Sequence, residues 1–276
     1  MSDQEEQIKV KTGKVKVNDI NMYYEIHGDG FPLVMIHGIN QNSLTWPPIF
    51  LDEVSKNFKI IIFDSRGAGR TDKPDIEYSI KMFADDTVGL MDALNIEQAH
   101  VLGHSMGGFI AQELVINYPE RVEKLILFST SCGGSKAVPP SPEVMQMLSE
   151  DLEGLTPEDM QRRFIPIALT EEYVKDNLDL IEESITIYLK APTPLYSFKR
   201  QLGAVMRFNA GRRLKKINTP TLVMHGKKDI LILPQNAEIL AKLIPEAKLT
   251  YFENSAHATY VEEPENVAKA LFEFLK

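Results

Sequence analysis

The stretch HVLGHSMGGF, His100 to Phe109, runs from residues that suit a β-strand directly into a serine ringed by glycines. Gly103 and Gly107 flank Ser105, and GGFIAQELVINYPE continues with helical spacing. A serine between strand and helix in a G-x-S-x-G frame sits in a turn so tight that flanking side chains would clash. That turn holds the serine in a strained backbone region at the strand's end. Ser105 is therefore a candidate nucleophile. The same glycines would also suit a tightly packed helix start or an anion site, so the surrounding sequence has to decide.

On both sides the chain alternates strands with helices. PLVMIHG and KIIIFD are short, nearly continuous apolar runs, as expected of parallel strands covered on both faces, and WPPIFLDEVSKN between them reads as a helix. SIKMFADDTVGLMDALN places Ile80, Phe83, Val88, Met91 and Leu94 close to helical period and stops at Asn95. AHVLG, the helix after Ser105 and VEKLILFST follow, and PTLVMHG, PQNAEILAKLI, AKLTYFE and PENVAKALFEFLK resume the alternation at the end. An opening hairpin, Val15–Val17 with Met22–Ile26 across an Asn-Asp turn, completes the set. The pattern predicts an α/β fold with a mostly parallel eight-stranded sheet and helices on both faces.

From about Ser135 to Asn218 only helix-like segments occur, such as SPEVMQMLSEDL, DMQRRFIPIAL and TEEYVKDNLDLIEESITIYL. The expected organisation is a core of residues 1–134 and 219–276 with an inserted helical cap, 135–218, above the strand ends. Its apolar and aromatic residues, including Phe164, Tyr188, Phe198 and Phe208, would roof an apolar pocket.

Composition narrows the function classes. Thirty Lys and Arg against 39 Asp and Glu give a net charge of −9, which disfavours nucleic acid or an anionic membrane as partner. The start MSDQEEQIKVKTG carries acids where a signal peptide needs a cationic, then apolar, segment, so a cytoplasmic protein is expected. Cys132 stands alone and reads as a small core residue beside a strand end. No Cys/His cluster has zinc spacing, and neither metal nor cofactor is expected.

A serine hydroxyl needs a base, and the base an acid that fixes its tautomer. Of the six histidines, His27 and His100 fall in strands, His37 precedes the first helix and His104 adjoins Ser105. His225 closes the strand TLVMH and reads as buried structure, whereas His257 lies in ENSAHATY, a loop on the same sheet edge as the serine. His257 is the candidate base. Asp229 in HGKKDILIL is the candidate acid, with Glu253, four residues before His257, as the alternative. A metal site built on His225 and Asp229 would need two more ligands. The oxyanion donors would be the backbone N–H of Met106, directly after the serine, and that of Ile39 behind His37-Gly38, unless HG is a plain turn.

Taken in order, HGIN…W, FDSRGAGRTDKP, GHSMGGF, HGKKD and SAHA resemble the α/β-hydrolase superfamily, specifically its small esterase, enol-lactonase and cofactor-free perhydrolase-like members. The resemblance spans about Val15 to Leu275 and is weakest across the cap. It implies Ser105, Asp229 and His257 as nucleophile, acid and base, Ile39 and Met106 as oxyanion donors, and a structural turn at Asp64, Arg66 and Gly67. Three positions depart from it. Ala256 stands where glycine often precedes the histidine, Leu233 where proline often follows the acid, and the oxyanion loop lacks a glycine run. The expected activity is hydrolysis of a small-molecule carboxylic ester or lactone through an acyl-enzyme. C–C bond hydrolysis, thioester or amide hydrolysis and perhydrolysis can use the same triad, and a non-catalytic ligand-binding protein can keep the same fold.

Overall fold

The computed structural model describes residues 10–276; the start of the chain, on which the expectation about a signal peptide rests, lies largely outside them. An antiparallel hairpin of β1 (Val10–Val17) and β2 (Ile20–His27) opens the fold, turning at Asn18, whose φ of 50° suits asparagine better than a branched residue. Strands β3 (Phe31–Ile36), β4 (Phe58–Phe63), β5 (Ala99–His104), β6 (Val122–Phe128), β7 (Thr221–Gly226) and β8 (Lys248–Phe252) complete one eight-stranded sheet. Its order is β1-β2-β4-β3-β5-β6-β7-β8, with β2 antiparallel to β4 and every pairing from β4 to β8 parallel.

The apolar runs are continuous because each strand is buried on both faces. Val34 and Ile36 join one core with Ile61, Phe63 and Val101, while Leu33 and Met35 join the other with Ile60, Ile62 and Leu102. Helices α1 (Pro48–Ser55) and, at the chain's end, α11 (Pro264–Leu275) cover one face. On the other lie α2 (Ile80–Ala93), α3 (Met106–Asn117) and α9 (Gln235–Leu243). Ser79 caps α2 by accepting from the Met82 N–H at 3.1 Å, and Asn95, at φ 56°, follows its end. Helix α1 starts at Pro48, a position where proline's missing N–H costs nothing, so Trp46 falls outside it and stacks on His37, ring centroids 3.9 Å apart. Helix α3 ends at Asn117 rather than running on through Pro119.

Between β6 and β7 the described residues form α4 (Pro142–Ser149), α5 (Pro157–Ala168), α6 (Glu171–Asp176), α7 (Leu178–Tyr188) and α8 (Leu195–Arg207), with no strand. The segment from Thr170 to Leu189, read above as one helical stretch, is two helices. Asn177 leaves helical geometry at φ −130° while its side-chain amide donates to the Tyr173 carbonyl at 2.9 Å. The insertion is tied to loops at the carboxyl edge of the sheet. Ser197 donates to the Gly67 carbonyl at 2.7 Å, Asn42 to the Ala191 carbonyl at 2.8 Å, and the Ala258 N–H to the Ala168 carbonyl at 2.9 Å. Among the described residues no helix is long and apolar enough to cross a membrane.

The turn after β4 is built on a buried ion network. Arg66, fully buried, donates to both Asp86 oxygens at 2.8 and 2.9 Å and to Asp19, whose side chain is mostly exposed. Asp86→Ala would leave the guanidinium without its buried partner, which is expected to lower stability by about 3 kcal/mol. Urea unfolding should show this as a lower midpoint at unchanged slope; a midpoint equal to wild type would mean that Asp19 alone suffices.

Candidate active site

Sheet order brings the site together. Strands β3 and β5 are neighbours, Ile36 opposite Gly103, so the loop after β3 and the serine turn open side by side at the carboxyl edge. Ser105 has φ 56° and ψ −119°, a conformation that the structure holds at both of its peptide groups. Its N–H donates to the Phe128 carbonyl at 2.9 Å, and its carbonyl accepts from the Gly108 N–H at 2.9 Å and Thr130 Oγ1 at 2.8 Å. A Cβ on Gly103 would overlap the Gly107 carbonyl, and one on Gly107 would overlap that of Ile36. Those contacts are the clash that the glycine spacing implied.

Met106 opens α3, so its N–H is among the first four of the helix, which have no acceptor within it, and no side chain caps this end. Ile39 lies in the loop after β3, two residues beyond His37. Gly38 brings this loop against the serine: a Cβ there would sit 3.1 Å from Ser105 Cβ. Asn40, next to Ile39, is buried at φ 63°.

Asp229 and His257 meet across the adjacent strands β7 and β8. The two loops are stitched by the Lys227 N–H on the Phe252 carbonyl at 2.8 Å and the Lys228 N–H on the Ser255 carbonyl at 3.0 Å. His257 Nδ1 lies 2.7 Å from Asp229 Oδ2, both residues buried. Asp229 Oδ1 accepts from the Leu231 and Ile232 N–H groups at 2.9 and 2.8 Å. Burial alone would raise the Asp229 pKa, but the two imidazoles beside it prevail and hold it well below the usual carboxylate range. An ionised Asp229 accepts from Nδ1–H of His257, which leaves the lone pair on Nε2. Glu253 takes no part in this pair; its exposed carboxylate lies beside Lys227 at 3.7 Å.

His225 does more than fill the strand end: its Nε2 lies 3.1 Å from Asp229 Oδ2 and 2.7 Å from the Ile232 carbonyl. Among the described residues no group of three or more His, Cys, Asp and Glu side chains could hold a metal ion. Burial, with His257 beside it, pushes the His104 pKa down to about 3, so this ring is neutral and donates from Nε2 to the His257 carbonyl at 3.0 Å. The residue before the serine thus holds the histidine loop against the serine turn, the two rings 4.8 Å apart. Ala256, at the position where glycine often stands, donates its N–H to Glu262 at 2.6 Å. The other oxygen of Glu262, which lies in α10 (Thr259–Glu262), accepts from the Thr170 N–H and hydroxyl, both at 2.7 Å. Glu262 therefore joins the histidine loop to the inserted helices. Sequence reading did not single it out, because its partners lie across a loop and 92 residues away.

A model of the family described as the alpha/beta hydrolase fold matches residues 32–172. The chain is 30% identical to a 2-hydroxymuconate semialdehyde hydrolase of a Pseudomonas species over 90% of this chain and 88% of that protein. Among solved structures it is similar to an N-acyl homoserine lactone degrading enzyme, with TM-score 0.81 and 28% identity over 95% of this chain and 100% of that one. It is similar also to a thermophilic esterase from Thermogutta terrifontis, with TM-score 0.81 and 26% identity over 96% of this chain and 98% of the other.

Proposed function

Because the chain belongs to the α/β-hydrolase fold family, we propose that it is a serine hydrolase that cleaves carboxylic esters of short to medium acyl chain, or lactones, through an acyl-enzyme. The observation that carries this is the buried Asp229–His257 pair at 2.7 Å, held by His104 against the strained turn of Ser105. His257 Nε2 takes the Ser105 proton as Oγ attacks the carbonyl, and the N–H groups of Ile39 and Met106 receive the oxyanion. His257 then protonates the leaving alkoxide. Water, deprotonated by the same nitrogen, attacks the acyl-enzyme and releases the acid while Ser105 recovers its proton.

Charge in the inserted helices, read here as a cap over the serine, supports an uncharged substrate. Arg162 pairs with Glu158 and Glu182, Arg163 with Glu150, Arg200 with Asp75 and Arg207 with Glu77. Lys190 and Lys199 are exposed. A carboxylate on the substrate would be met most strongly by a cation in the pocket, and these cations are paired with carboxylates or face solvent. The lactone-degrading neighbour agrees with the neutral reading.

The test is labelling by a fluorophosphonate, followed by a panel of p-nitrophenyl esters. Under a cap tied down at Gly67, Ala191 and Ala168, each added methylene gains up to ~0.8 kcal/mol until the wall is met, then loses it to crowding. kcat/KM is expected to peak at about four to eight acyl carbons and to fall by sixteen. Improvement out to palmitate with activation at an oil–water interface would show a cap that opens as a lipase lid, and would overturn the small-ester reading.

A further inference from the structure

Two cap helices reach down to one residue of the loop after β3. The N–H of Asn40 donates to Gln201 Oε1 at 3.0 Å, and the Asn40 side-chain oxygen accepts from the Tyr188 hydroxyl at 2.9 Å. Gln201, on α8, is fully buried, and its Nε2 donates to the Arg66 carbonyl at 3.2 Å in the turn after β4. A carbonyl can only accept and an N–H only donate, so the two partners demand opposite ends of a side-chain amide. Only an uncharged group with both functions satisfies them together.

The Asn40 N–H belongs to the peptide that follows Ile39. In a trans peptide the N–H and C=O point in opposite directions, so fixing one fixes the other and, with them, the ψ angle of Ile39. Asn40 is left-handed at φ 63°, a conformation that asparagine tolerates. Rotation of this peptide, through ψ of Ile39 and φ of Asn40, would turn the Ile39 carbonyl to where the N–H now points and release the backbone of Ile39, whose own N–H lies in the preceding peptide. Gln201 opposes this rotation directly, because the rotated peptide would set carbonyl oxygen against Oε1.

We propose that Gln201 is a positioning residue for the oxyanion hole: from the cap it fixes the Ile39–Asn40 peptide and so one side of the Ile39 backbone, whose own N–H, in the preceding peptide, is presented to the reacting carbonyl. The proposal rests on the reading of Ile39 as an oxyanion donor. It makes the cap part of the transition-state apparatus as well as the wall of the pocket. The interaction matters more in the transition state than in the bound ester, because only then does the carbonyl oxygen carry the charge that the N–H stabilises.

Gln201→Met keeps the volume but offers Asn40 no comparable acceptor. It is expected to lower kcat by roughly 10- to 100-fold with KM within about threefold, and to weaken a trifluoromethyl ketone inhibitor by the same factor as kcat/KM. Gln201→Glu supplies an acceptor in either protonation state and should recover kcat to within about fivefold of wild type, whatever it loses in stability. Ser197→Ala removes a different bond between the same helix and the core, that to the Gly67 carbonyl, and should lower the melting temperature while leaving kcat within about twofold. Wild-type kcat in Gln201→Met, equal losses in the Met and Glu variants, or an equal kcat loss in Ser197→Ala would each overturn the proposal. Failure of the serine-hydrolase reading looks different, since then neither wild type nor Gln201→Met would react with a fluorophosphonate.

Discussion

Ser105→Ala is expected to lower kcat toward short-chain esters by about 10⁴-fold or more, with KM little changed. The substitution removes Oγ and with it the acyl-enzyme route, while the pocket and both candidate oxyanion donors stay in place. Ser105 holds φ 56° through its own N–H on Phe128 and its carbonyl on Gly108 and Thr130, and alanine keeps all three bonds. Alanine is no more strained there than serine, so the melting temperature should move little. Residual turnover would come from the oxyanion hole and bound water. Fluorophosphonate labelling should vanish with the hydroxyl. A loss below tenfold, or labelling that persists, would remove Ser105 as nucleophile.

What was legible in the sequence is what leaves a trace in residue type. Gly103 and Gly107 are readable because backbone carbonyls occupy the space where their Cβ atoms would be. Asn18 and Asn95 mark ends because asparagine tolerates their left-handed φ. The strands are readable because both faces are buried, so Leu33 to Ile36 need no polar alternation. Contacts set by tertiary placement leave no such trace. The break at Asn177 depends on a side-chain bond to Tyr173 that is indistinguishable in sequence from an ordinary helical asparagine. Gln201 sits in a buried stripe of α8 with Ser197, Phe198 and Ala204, and a polar residue in such a stripe signals a partner without saying which. Its partner proved to be the backbone beside Ile39, 161 residues away. The position of His225 at the end of β7 is legible in its apolar strand, but its approach to Asp229 depends on the tight turn between them, where the Asp229 N–H returns to the Gly226 carbonyl at 3.2 Å.

His257→Ala is expected to cost nearly as much as losing the serine, and the double variant Ser105→Ala/His257→Ala should be little worse than either single one. In the proposed mechanism base and nucleophile act as a unit. Without an imidazole the hydroxyl keeps its proton, and without the hydroxyl the imidazole has nothing to activate on the acylation path. Fully additive losses would show that the two work on separate steps. Asp229→Asn tests the third member more finely, because it preserves shape while changing what the side chain asks of the ring. At present Asp229 Oδ1 is committed to two backbone N–H groups and Oδ2 faces His257 Nδ1, so the carboxylate can only accept from the imidazole. An asparagine that keeps its oxygen on the Leu231 and Ile232 N–H groups turns its NH₂ toward Nδ1. The ring then carries its proton on Nε2, the atom that in the proposed mechanism takes one from Ser105. The loss should exceed ~10²-fold in kcat, at nearly unchanged KM. Glu253→Gln should leave kcat within about twofold, since that exposed carboxylate faces Lys227 and not the imidazole. If Glu253→Gln proves the more damaging of the two, the acid has been assigned to the wrong loop, and the buried pair at the end of β7 would hold the fold rather than drive the reaction.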